Sequence, residues 1–60
     1  MEDKLNEIAT LEDGTQLWSE PYNFKRLSAV GEEICRDRVW YIVKSSIIED
    51  GHVRTILRRL

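Results

Sequence analysis

Two runs of β-branched and aromatic residues, 39–48 and 52–58, flank an Asp-Gly pair in the second half of the chain. Such residues suit the pleated, half-buried surface of a strand. Asp-Gly between two such runs is a strong hairpin signal, because glycine adopts a positive φ without a steric penalty. The pattern therefore predicts a long β-hairpin, around which the rest of the chain is expected to fold.

The register of this hairpin depends on the length of its turn. A two-residue turn at Asp50-Gly51 sets Val43 opposite Arg58, and both faces then mix apolar and charged residues. A three-residue turn, 49–51, sets Val43 opposite Leu57 and makes one face apolar. We predict the three-residue turn, because a one-residue slip would turn that apolar face to water. The predicted core face comprises Val39, Tyr41, Val43, Ile47, Val53 and Leu57.

The opposite face of the hairpin is amphipathic, and a binding function is expected there. It carries Trp40, Ile42, Lys44, Ile48, Arg54, Ile56 and Arg58. If its apolar residues are not covered by the rest of the chain, they form a strip large enough to mark an interface. The expected occupant is a protein partner or a second copy of the chain in a homodimer.

The first part of the chain repeats the hairpin pattern in miniature around Asp13-Gly14. A three-residue turn there sets Ala9 opposite Leu17. A short helix over residues 3–12 is the competing interpretation, but the Asp-Gly signal favours strands. The whole pattern predicts a single all-β domain, an open barrel or meander joined by hairpins, with five strands near 5–11, 15–19, 32–36, 39–48 and 52–58.

The connection at 20–31 is rich in large apolar residues, so it is expected to pack on the core. Its aromatic residues, Tyr22 and Phe24, follow Trp18 and precede Lys25-Arg26. One interpretation is a plug that completes a small core, because a short chain needs its large side chains inside. The other is a groove for a peptide, lined by aromatics of the 18–26 loop.

Composition narrows the function classes. One cysteine, Cys35, excludes an internal disulfide and suits a reducing compartment. No signal peptide is visible and the longest wholly apolar run, 39–43, is too short to span a bilayer, so a cytoplasmic protein without a membrane partner is expected.

His52 is the only histidine and lies far along the ladder from Ser45 and Ser46. We therefore expect no enzyme, no metal, no cofactor and no small-molecule substrate.

Charge is unevenly distributed along the chain. Residues 1–20 hold one lysine against six acids, whereas residues 21–60 hold eight bases against five acids. The favoured interpretation is that the acidic first hairpin neutralises the basic last hairpin within the fold. The alternative is a nucleic-acid-binding module that uses Lys44, Arg54, Arg58 and Trp40, extended by Lys25, Arg26 and Arg59.

Residues 27–57 carry a family resemblance. Leu27-Ser28-Ala29-Val30-Gly31-Glu32-Glu33-Ile34, then Arg38-Val39-Trp40-Tyr41-Ile42-Val43 and a second hairpin, resemble small SH3-like β-barrels. The stretch also resembles short uncharacterised bacterial and phage-type proteins with an L-P-x-V-G-E opening, although Ser28 stands where proline is usual. The resemblance implies a barrel-like fold.

Overall fold

The structure, a computed structural model, describes residues 5–22 and 27–60, whose only regular elements are strands. Five strands form one sheet in the order β2-β1-β5-β4-β3, and the sheet is curled into a half-barrel. Both the predicted all-β fold and the strand assignment for the described part of 3–12 are confirmed. The strands are β1 Asn6–Leu11, β2 Gln16–Pro21, β3 Glu33–Arg36, β4 Val39–Glu49 and β5 His52–Arg59.

Strand β1 joins the first hairpin to the last one. Besides its antiparallel partner β2, it pairs in parallel with β5, from Asn6 opposite His52 to Leu11 opposite Leu57. A simple meander has no such pairing. Strands β1, β5 and β4 therefore form the middle of the sheet, while β2 and β3 are its two edges.

The turn of the last hairpin differs from the prediction. Asp50 and Gly51, with φ of 50° and 81°, form a two-residue turn, and Glu49 lies opposite His52. Positive φ at both central positions matches the right-handed twist of the flanking strands, which is why two-residue hairpin turns prefer this conformation. The predicted three-residue turn is wrong, although the positive φ of Gly51 is confirmed.

A β-bulge at Lys44 compensates for the shorter turn. Between the turn and this bulge, each residue of β4 lies one position from its predicted partner: the observed pairs are Ile48–Val53, Ile47–Arg54, Ser46–Thr55 and Ser45–Ile56. Lys44 is the extra residue, with no partner position on β5, and Val43 returns to Leu57 as predicted. The bulge thus restores the apolar register that the turn alone would lose.

The first hairpin shows the reverse combination. Its predicted three-residue turn is confirmed, because the Leu11 N–H donates to the Thr15 carbonyl at 2.8 Å across residues 12–14. A register shift next to Ala9 then places Trp18 opposite Ala9 instead of the predicted Leu17. The shift brings the larger aromatic side chain onto the buried face.

The buried face lines the inside of the half-barrel, and we call it the concave face. Its buried apolar residues are Ala9, Tyr41, Val43, Val53 and Leu57, with Leu11, Leu17, Trp18, Ile34 and Val39 packed partly buried beside them. Most of the predicted core is confirmed. Ile47 is the exception: it is 47% exposed on the other, convex face, because the two-residue turn inverts the orientation predicted for it.

The connection to β3 is described from residue 27 onward. Leu27 is half-buried, as packing on the core requires, whereas Val30 is exposed. The Gly31 N–H donates to the Val43 carbonyl at 2.9 Å, which aligns the chain with β4 before β3 begins. Predictions for Phe24, Lys25 and Arg26 fall outside the described residues.

Candidate interaction surface

Large apolar side chains lie on the convex face of β4 and β5. Trp40 is 52% exposed and lies opposite Cys35 of the edge strand β3. Ile47 is exposed farther along β4, and two half-buried isoleucines lie between them in the sheet. We call this set the convex strip: Trp40, Ile42, Ile47 and Ile56.

The convex strip differs from the predicted surface at one residue. Ile48 pairs with Val53, a fully buried residue, and therefore belongs to the concave face. It lies near the turn and stays 60% exposed there. Ile47 takes its place on the convex face, so the apolar character of the surface is retained despite the changed register.

The two arginines of the same face are partnered by carboxylates. Arg54 Nη1 lies 3.5 Å from Glu49 Oε2, and Arg58 Nε donates to Glu12 Oε1 at 3.0 Å. Exposed ion pairs of this kind contribute little to stability, but they balance charge locally. Lys44 is exposed at the bulge.

Within the part of the chain that the structure describes, two ion pairs connect the acidic first hairpin to arginines of later strands. One is the Glu12–Arg58 pair on the convex face; the other joins Glu20 of β2 to Arg36 of β3. Of the two, the Glu12–Arg58 pair joins the first hairpin to the last one, as the favoured interpretation of the charge asymmetry expects, whereas Arg36 belongs to β3.

Two aromatic residues of the predicted groove, Trp18 and Tyr22, lie among the described residues. Trp18 lies in β2, and its ring packs edge-to-face on Tyr41 with centroids 5.9 Å apart. It thus belongs to the core, as the plug interpretation predicts. Tyr22 is half-buried, and its backbone N–H extends the β1–β2 ladder by donating to the Leu5 carbonyl at 2.8 Å. Phe24 lies outside the described residues.

A shallow, open cleft of about 270 Å³ lies at the end of the sheet where β1 and β5 finish. Its lining residues are Leu11, Glu12, Asp13, Leu57, Arg58 and Arg59. Within residues 5–22 and 27–60, no three His, Cys, Asp or Glu side chains are grouped as metal ligands would be. The described residues also contain no helix of the length and apolarity needed to cross a bilayer.

Comparisons with protein-family models, with curated proteins and with solved structures found no match to this chain.

Proposed function

We propose that this chain is a non-catalytic interaction module whose convex strip binds a protein surface, and that its partner is a second copy of the chain. The observation that carries the proposal is the exposure of Trp40 and Ile47 on one face of β4. Tryptophan is among the residues that contribute most to protein interfaces, because it buries a large apolar area with few rotatable bonds.

The charges around the convex strip suit a self-complementary contact. A two-fold interface presents the same patch on both subunits, so acids and bases must both be present in it. The ion pairs Glu49–Arg54 and Glu12–Arg58 place both negative and positive charges next to the apolar residues. A polyanion would instead require an excess of cations with no carboxylates beside them.

The fold is compatible with SH3-like barrels, and we include that assignment in the proposal. The support is the five-stranded half-barrel together with the resemblance of residues 27–57. Many unrelated functions share such folds, so the exposed side chains, rather than the fold, carry the functional argument.

The experiment compares the wild type with the Trp40→Glu/Ile47→Glu variant by sedimentation equilibrium over a range of concentrations. We expect a wild-type dimer and a folded monomeric variant, because two carboxylates in the strip would repel their copies and oppose desolvation. Ile48→Glu is the matched control, since it changes an exposed isoleucine of the same strand on the other face. A monomeric wild type at the highest concentration, or equal disruption by the control, would contradict the proposal.

A further inference from the structure

The two edge strands are joined on the concave side by side chains alone. Among the described residues, β2 pairs only with β1 and β3 only with β4. Arg36 of β3 nevertheless donates from Nη1 and Nη2 to the two carboxylate oxygens of Glu20 in β2, at 3.1 and 2.6 Å. This bidentate pair crosses the opening of the half-barrel.

The same guanidinium has a second contact with β2. Its central carbon lies 4.2 Å from the centroid of the Trp18 ring, a cation–π arrangement. A bidentate hydrogen-bonded pair and a stacked aromatic together fix the orientation of a planar guanidinium more tightly than either contact alone. Arg36 therefore ties β3 to two positions of β2. The hydrogen-bonded Glu20 carboxylate also raises the pKa of Arg36 above its ordinary value, which keeps this tie charged.

A row of polar side chains, buried at Glu7 and Thr55, begins beside this tie. Glu7 of β1 is opposite Glu20, and its Oε2 accepts a hydrogen bond from Thr55 Oγ1 at 2.9 Å. Ser46 Oγ lies 3.1 Å from the same Thr55 oxygen. Since Thr55 gives its single hydroxyl hydrogen to Glu7, Ser46 is the donor to Thr55. The row Ser46–Thr55–Glu7 thus spans the three central strands, and its Glu7 end lies opposite Glu20 of β2.

Strand β2 has few contacts besides Arg36. Trp18 packs on Tyr41, and the ladder with β1 extends to Tyr22. None of the residues of β2 is fully buried, and the strand has one neighbouring strand. The buried Nε1 of Trp18 finds no hydrogen-bond acceptor among the described residues. A buried donor without an acceptor disfavours the closed arrangement, because opening would return it to water.

We propose that Arg36 is a latch that holds β2 against β3, and that its release lets β2 open as a unit and exposes the Ser46–Thr55–Glu7 row. Segments with few buried contacts and one ladder open at lower free energy than the whole domain unfolds. The latch goes beyond the proposed function, because it controls access to the concave face and not to the convex strip.

Hydrogen exchange on the full chain tests the latch. The variants are Arg36→Glu, Glu20→Arg and the exchanged pair Arg36→Glu/Glu20→Arg. We expect each single variant to speed exchange of the β2 amides by roughly ten- to a hundredfold, the effect of losing a hydrogen bond to a charged group. Exchange at the β4–β5 ladder should stay unchanged. The exchanged pair should restore part of the protection of β2, because it recreates the ion pair but not the contact with Trp18.

A milder series keeps the test decisive if charge reversal unfolds the chain. Arg36→Lys retains the charge but loses the bidentate geometry, and it should produce the same selective effect with a smaller magnitude. In a Trp40→Phe background, Trp18 is the remaining tryptophan. Adding Arg36→Lys to this background should make the Trp18 ring more accessible, so that a soluble quencher reduces its fluorescence more strongly. Equal acceleration in every strand, unchanged exchange in β2, or no restoration by the exchanged pair would overturn the latch.

Discussion

Positive φ angles at residues other than glycine concentrate in two hairpin turns. Among the described residues they occur at Asp37, Arg38 and Asp50, with φ of 54°, 69° and 50°. Aspartate tolerates this conformation because its short side chain can hydrogen-bond locally, but arginine gains no such compensation. The predicted strands near 32–36 and 39–48 leave room only for a tight turn between them, yet nothing in the sequence indicated the left-handed conformation of Arg38. That conformation follows from the two-residue turn that pairs Arg36 with Val39.

Replacing Arg38 by glycine should stabilise the protein. Glycine removes the Cβ clash of the left-handed conformation, which costs roughly 1–2 kcal/mol for an ordinary L-residue, although a more flexible unfolded chain offsets part of the gain. We expect a net gain of about 1 kcal/mol, measured by urea unfolding. Arg38→Ala is the matched control, because it removes the charge but keeps the Cβ. Equal stabilities of the two variants would show that the side chain, and not the backbone, determines the effect.

At the scale of the strands, the bulges explain why turn and register could not both be predicted. In the first hairpin the predicted turn was correct, but the predicted partner of Ala9 was wrong. In the last hairpin the predicted turn was wrong, but the predicted partner of Val43 was correct. A bulge reconciles the preferred turn with the required apolar face. Its extra residue, Lys44, looks in the sequence like any other exposed strand residue, so no local pattern indicates it.

Deleting Lys44 should leave the fold intact. The deletion makes Val43–Leu57 and Ser45–Ile56 consecutive pairs of a regular ladder, so every buried side chain keeps its face. We expect a folded variant by circular dichroism, destabilised modestly because the bulge adds to the local twist of the strand.

Deleting Ile42 is the control for this experiment. It removes a residue from the regular part of the ladder and turns Tyr41 from the core to the convex face. This variant should not fold. Similar behaviour of the two deletions would show that Lys44 is not a bulge.

The parallel pairing of β1 with β5 lay beyond the sequence patterns. Tight turns indicate antiparallel neighbours, whereas a parallel pair leaves no local signal. The pairing also depends on polar residues that alternation would assign to water: Glu7 and Thr55 are buried, and a hydrogen bond between them compensates for their desolvation. Strand existence was therefore predictable, but strand order was not.

At the scale of the whole molecule, the candidate surface was more predictable than the latch. Trp40, Ile42, Arg54, Ile56 and Arg58 share the convex face as predicted, because alternation within each strand fixes it. The latch joins residues 20 and 36, whose strands lie at opposite edges of the sheet. Only the curvature of the whole sheet brings them together, and the sequence carries no direct sign of it.

The charge balance of the folded chain separates the protein-partner proposal from the nucleic-acid alternative. If the pairs with Glu12 and Glu49 suppress polyanion binding, the Glu12→Gln/Glu49→Gln variant should bind labelled single-stranded DNA by fluorescence anisotropy, while the wild type should not. For this variant, contacts from the two released arginines should give log affinity against log salt a slope of about −1.4, at roughly −0.7 for each phosphate contact.

The matched control for the released arginines is Glu33→Gln/Asp37→Asn. It changes the net charge equally at two acids outside the Arg54 and Arg58 ion pairs, and asparagine tolerates the left-handed conformation at position 37. If it gained as much affinity, net charge and not these arginines would govern binding. Salt-sensitive binding by the wild type itself, weakened by Arg54→Ala or Arg58→Ala, would instead make nucleic acid the ligand of the convex face and displace the homodimer.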